Sequence, residues 1–139
     1  MPCLEISLPK TDLATKETLI RTLTDIGVEV AGFGRDVFRV RFCEYGIGEA
    51  GLAGKLWDGD QNPYLHFLLY CPRLKRSVKK RLIETMSAAF VEVVGKAGWF
   101  PVFHICEHPY DNIGASGKVL REKYPELADR QFYFDLPKD

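Results

Sequence analysis

The residue with the least ordinary chemistry in the chain is Pro2. A proline behind an initiator Met is small enough for that Met to be clipped. Removal would leave a secondary amine at the chain start. An α-amino group titrates near pH ~8 in model peptides, and neighbouring cations push it lower, so a freed Pro2 would be a neutral base near pH ~7. The chain also carries Arg39 on an alternating stretch, and Arg73 and Arg76 in the basic run Arg73-Leu74-Lys75-Arg76-Ser77. An arginine fork grips a carboxylate bidentately, which a lysine cannot reproduce. Each residue also has an ordinary use. Pro2 could be a strand-edge residue, Arg39 could pair with Glu5 or Glu44, and Arg73 to Arg76 could be a solvated basic turn.

The elements that must position these groups follow from periodicity. Leu4, Ile6 and Leu8 alternate with Glu5 and Ser7, which predicts a strand with one buried face over Cys3 to Leu8. Thr11 and Asp12 can start a helix, and Leu19, Ile20, Leu23, Ile26 and Val30 recur at helical spacing up to Ala31. Gly32 and Gly34 end it. Asp36 to Cys43 alternates again, with Phe38, Val40 and Phe42 opposite Arg39 and Arg41. The order then recurs. Tyr64 to Tyr70 predicts a strand, Ser77 a helix cap, Val78 to Val94 a helix, and Trp99 to Cys106 the returning strand.

The recurrence extends to residue identity. At an offset of 63, Lys16 meets Lys79, Leu19 meets Leu82 and Thr22 meets Thr85. Likewise Val28-Glu29-Val30 meets Val91-Glu92-Val93, Cys43-Glu44 meets Cys106-Glu107, and Gly54-Lys55 meets Gly117-Lys118. Upstream of the helix an offset of 61 matches Pro2 to Pro63 and Leu4 to Leu65, which predicts two extra residues in the second strand-to-helix loop. This is a duplicated β-α-β unit, with units at 2–55 and 63–118, a turn at Asp58 to Asn62 between them, and a tail at 119–139. Within each unit the strands should be parallel with a right-handed crossover. The predicted fold class is α+β: a four-stranded sheet with two helices on one face. The other face carries Glu5, Arg39, Arg41, His66 and His104 and calls for a partner, most simply further copies of the chain. The tail predicts a short helix over Val119 to Tyr124, and Phe132, Tyr133 and Phe134 as an aromatic cluster packed on a neighbour or the sheet edge.

Composition narrows the class. The 139 residues fit one domain. Lys+Arg and Asp+Glu are both 19, so bulk charge argues against nucleic acid or a membrane surface as partner. No apolar run reaches the ~20 residues of a membrane span, and no signal peptide is visible. Cys3, Cys43, Cys71 and Cys106 lack a paired spacing, so reduced thiols in a cytoplasmic protein, with no metal, are expected.

The Met-Pro start, the segments Lys16 to Ile20 and Phe38 to Glu44 with Gly46-Ile47-Gly48, and the doubled unit resemble the tautomerase superfamily, 4-oxalocrotonate tautomerase above all. The resemblance covers residues 2 to about 118. It implies that Pro2 is the catalytic base and Arg39 the strand arginine that binds or polarises substrate. It also implies an arginine in the loop after a unit's first strand. Thr11 stands there in the first unit, whereas the second offers Arg73, favoured by counting from Pro63, with Arg76 close behind. By the same resemblance Asp36 stands where a decarboxylase relative has an aspartate. His104 falls near a tyrosine of the cis-3-chloroacrylic acid dehalogenase, and Tyr110 and Asn112 lie in a loop that walls the site. Ala115 replaces that dehalogenase's water-activating glutamate, which argues against dehalogenation. The implied protein is a cofactor-independent tautomerase of small 2-oxo carboxylic acids, assembled as a homotrimer. The alternatives are a hydratase or decarboxylase of a 3-oxo acid, and a catalytically inactive trimeric binding protein with Met1 retained.

Overall fold

The computed structural model describes residues 2–59 and 62–126. The first strand, β1 (Cys3–Pro9), leads into helix α1 (Leu13–Ala31) and returns as β2 (Arg39–Tyr45). The second unit repeats this with β5 (His66–Cys71), α2 (Arg76–Val94) and β6 (Val102–Glu107). Between and after them lie two short hairpins, β3 (Gly51–Leu52) with β4 (Lys55–Leu56) and β7 (Gly114–Ala115) with β8 (Lys118–Val119). A 3-10 turn at Tyr110–Asn112 and a short helix α3 (Leu120–Lys123) complete the described chain. The cluster Phe132 to Phe134 lies outside the described residues. No described helix is long and apolar enough to cross a membrane.

The sheet order is β2-β1-β5-β6. β1 is parallel to β2 and β5 to β6, while β1 and β5 are antiparallel. The duplicated β-α-β sheet is therefore as expected, and the antiparallel seam relates its halves by a pseudo-twofold. Leu4, Ile6, Phe67 and Leu69 of the central strands are fully buried against Leu19 and Leu23 of α1 and Leu82, Met86 and Phe90 of α2. Each such side chain stabilises the fold by ~1.5–3 kcal/mol relative to exposure. Among the described residues the opposite face of the sheet carries no helix, and Val102 there is 61% exposed.

Equivalent glutamates lock the two strand-to-helix loops. Glu44 accepts from the Thr11 backbone N–H (2.7 Å) and Lys16 Nζ (2.6 Å). Glu107 accepts from the Leu74 N–H (2.6 Å) and Lys79 Nζ (2.8 Å). These bonds correct two expectations. Ser77 does not cap α2. The helix starts at Arg76 behind Lys75, whose side chain makes no capping bond, and Glu107 reaches in from the far strand to hold the loop at Leu74, one residue before the cap. At α1 the expected Asp12 cap is present, accepting from the Thr15 N–H.

The second correction is one of register. Arg39 N–H donates to the Pro2 carbonyl (3.2 Å), and Val102 N–H to the Leu65 carbonyl (3.0 Å). Pro2 is thus equivalent to Leu65, not Pro63, and the offset of 63 runs unbroken from the first strand through both hairpins. Loop two has no insertion: Pro9 meets Pro72, Lys10 meets Arg73, and Thr11 meets Leu74, each at the same step from its helix start. The hairpin turns repeat too, with positive φ at Ala53 (51°) and Gly54 (77°) and at Ser116 (54°) and Gly117 (74°). Two successive positive-φ residues are what a two-residue type I′ turn requires.

Candidate active site

The antiparallel seam decides what lies beside Pro2. Cys3 is opposite Arg39 on one side and Tyr70 on the other. One residue earlier, buried Pro2 sits at the end of β5, where Pro72 turns the chain toward Arg73 and the start of α2 at Arg76. The start of the first unit and the strand-to-helix loop of the second therefore share one end of the sheet. Arg39 lies on its other flank, exposed and alternating with the inward Val40 and Phe42. Arg39 makes no ion pair among the described residues. Glu5 is taken by Arg41 (2.7 Å) and Glu44 by Lys16 (2.6 Å), so the structural uses open to Arg39 in the sequence are filled by others.

The other expected residues fall differently. Asp36 is exposed in the turn three residues before Arg39, and a Cβ on Gly34 would lie 3.0 Å from its Oδ1, so the carboxylate folds back over its own turn. Arg73 and Arg76 are both exposed, Arg73 in the loop and Arg76 in the first turn of α2. His104 is not brought to Pro2. It pairs with Leu68, three residues in from Cys71 and two strands over from β1, which puts it roughly 10 Å along the sheet from the Pro2 row. Its Nδ1 instead meets His66 Nε2 at 2.6 Å, one ring nitrogen donating and the other accepting. Tyr110 is 4% exposed and packs on Leu120, a small core rather than an open wall, while Asn112 is exposed in the same 3-10 turn.

One residue at this end escaped the sequence reading. His108 donates its N–H to the Cys71 carbonyl (3.1 Å), which sets it beside the Pro2 row. Its Nδ1 is buried without a partner among the described residues, and burial pushes its pKa below the usual histidine value. Its pseudo-symmetric counterpart is Tyr45, so residue identity across the repeat carried no signal. Cys71 is inert, its thiol pushed up to about 12 by burial. No group of three or more metal-ligating side chains converges among the described residues.

The histidine pair makes stability depend on pH. Burial, then the charge of His104, lowers the His66 pKa. The folded state therefore binds fewer protons than the unfolded chain below pH ~6.5, and stability falls as pH drops through that value toward the lowered folded pKa. Thermal melts from pH 7.5 to 5 should show a falling Tm, and His66→Gln should remove part of the slope, His108 supplying the rest. An unchanged slope in that variant would assign the effect elsewhere.

No family model and no curated protein matches the chain. Solved structures do. The crystal structure of native fused 4-OT has a TM-score of 0.78 at 25% identity, over 86% of this chain and 97% of that one. A wild-type fused 4-OT asymmetric trimer gives 0.72 at 24%, over 88% and 98%. A member of the cis-3-chloroacrylic acid dehalogenase family gives 0.70 at 18%, over 93% of each chain. The last two speak for the fold alone. With its two antiparallel β-α-β units, the sheet end they build at Pro2 and its likeness to native fused 4-OT, the chain belongs to the 4-OT-like tautomerase superfamily as a double β-α-β member.

Proposed function

We propose that the protein is a cofactor-independent tautomerase of small 2-oxo carboxylic acids, with Pro2 as the acid–base group once Met1 is removed. What supports this reading is that Pro2, Arg39, which makes no ion pair among the described residues, and the Arg73 to Arg76 loop lie at the same end of the sheet. In the enol-to-keto direction the neutral amine takes the enol hydroxyl proton, the electron pair moves through the double bond, and the carbon terminus recovers a proton from the prolinium. Arg73 or Arg76 grips the substrate carboxylate, and Arg39 stabilises the enolate oxygen. The same cations hold the amine's pKa down by like-charge repulsion. The internal unit end, Leu65, has no free amine, so one proline serves each chain. We further propose a cytoplasmic homotrimer, in keeping with the trimeric fused 4-OT structures, in which other copies cover the open sheet face. Asp36, folded over its own turn, lends no particular support to decarboxylation.

The test is ketonisation of phenylenolpyruvate and 2-hydroxymuconate followed by ultraviolet absorbance, on protein whose intact mass shows Met1 removed. Turnover should be seen. Of Arg73→Ala and Arg76→Ala, the one whose guanidinium holds the carboxylate should lower kcat/KM by about 10–100-fold, mainly through KM. Absence of turnover with a free Pro2 amine would overturn the reading.

A further inference from the structure

The pseudo-twofold gives the molecule a second sheet end built from the same parts as the Pro2 end, and that end holds a cavity of about 790 Å³. It lies where β1 finishes, between the Lys10–Asp12 loop of the first unit and the Lys96–Trp99 turn of the second. At the Pro2 end these parts are the Arg73–Lys75 loop and the Phe33–Asp36 turn. The volume is in the range of small-molecule sites. Its chemistry has been rewritten position by position. Lys10 stands for Arg73, Leu65 for Pro2, Val102 for Arg39 and Trp99 for Asp36. A cation is kept, while the base and the strand arginine are gone.

Packing explains why this cavity is open. In the first unit Phe33 and Phe38 stack (5.6 Å) and fold inward over Gly27, whose added Cβ would lie 3.2 Å from the Phe33 ring. In the second unit Gly27 is replaced by Phe90, fully buried, which fills the core from the helix itself. The equivalents of Phe33 and Phe38 are then Lys96 and Pro101, and the turn that carries Lys96 and Trp99 lines the cavity instead. Lys10 makes no ion pair among the described residues, and Lys96 Nζ lies 4.4 Å from the Trp99 ring centroid. Two acidic groups lie nearby: Asp12 is spent on capping bonds from Thr15 N–H (2.8 Å) and Thr15 Oγ1 (2.9 Å), and Glu44, which feels the charge of Lys10, accepts from Thr11 N–H (2.7 Å) and Lys16 Nζ (2.6 Å). Trp57 lines the same cavity, edge-on to Tyr45.

We infer that this cavity is a second, non-catalytic site for an aromatic monocarboxylate, the carboxylate held by Lys10 and the ring set among Trp57 and Trp99. No bond is made or broken there. The inference does not depend on turnover at Pro2, and the two can fail separately.

The chain has two tryptophans, both in this cavity, so intrinsic fluorescence reports on it directly. Phenylacetate, which has no 2-oxo group to enolise, is the probe. A saturable change in tryptophan emission is expected, weakened about tenfold by Lys10→Gln and left unchanged by Pro2→Ala. Lys10 is exposed, so Lys10→Gln should fold, and circular dichroism verifies that it does. Lys96→Gln serves as a second variant and should weaken binding less. No saturable change up to about 10 mM, a Kd near the weak-binding limit, overturns the inference. So does a signal indifferent to both lysines, or one lost in Pro2→Ala, since the ligand would then sit at the other end. A lysine-dependent signal from protein with no tautomerase activity would uphold this site while the proposed function failed.

Discussion

Protein whose mature chain starts at Pro2 should lose about 10²–10⁴-fold in kcat/KM when one glycine is inserted ahead of that proline. The insertion turns the secondary amine into an amide nitrogen, whose lone pair is delocalised into the carbonyl and cannot accept a proton. Nothing else in the sheet need change, because the Pro2 carbonyl still receives the Arg39 N–H. Pro2→Ala is the companion variant. It keeps an amine, but a primary and more freely moving one, and should lose less, about 10–100-fold. The order matters more than either number: free proline, then free alanine, then blocked proline. Equal turnover in all three, with the N-termini verified by intact mass, would remove Pro2 from the mechanism. A native protein that retains Met1 in full would do the same and would favour the binding-protein alternative.

The largest effect on stability should come from Phe90→Ala, a loss of about 3–5 kcal/mol. Phe90 is fully buried, and its ring meets Phe67 edge to face at 5.3 Å and 86°. Phe67 in turn contacts Phe103 at 5.4 Å, so one ring from α2 seals the helix layer to both strands of its unit. The first unit cannot compensate, since its counterpart position is Gly27 and its own rings stack over that glycine. Urea unfolding at fixed protein concentration measures the loss, with concentration held constant because assembly contributes to apparent stability. A change below about 1 kcal/mol would mean that the site collapses freely and that Phe90 is not the keystone of this core.

Much of this architecture was legible from the sequence because it is written in local periodicities. Apolar spacing located both helices and four long strands, and side-chain identities at an offset of 63 showed that one unit had been copied. The bare sheet face with Arg39, Arg41, His66 and His104 followed from alternation alone. The pairing of Pro2 with Pro63 went astray for a definite reason. Offsets of 61 and 63 differ by two residues, which is the period of a strand, so either register sends the same side chains inward. Hydrophobic pattern cannot separate the two, and a chance proline match tipped the choice. Backbone pairing separates them at once, through the Arg39 to Pro2 and Val102 to Leu65 hydrogen bonds.

The remaining features depend on groups far apart in the chain. Ser77 has the residue type of a cap, yet the helix begins one residue earlier, and Glu107, 33 residues beyond Leu74, holds the loop across the unit. His104 faced the right side of the sheet, but its place along the strand gave it to His66. His108 carries no local motif and gains interest only from the Cys71 carbonyl that positions it. By itself the sequence determined two β-α-β units, their helices and their parallel strand pairs, since each rests on bonds and patterns within a unit. Only the tertiary structure decided that the units meet antiparallel. That seam, set by hydrogen bonds between β1 and β5, puts Pro2 beside the arginine loop of the other unit and leaves the tryptophan-lined cavity at the opposite end.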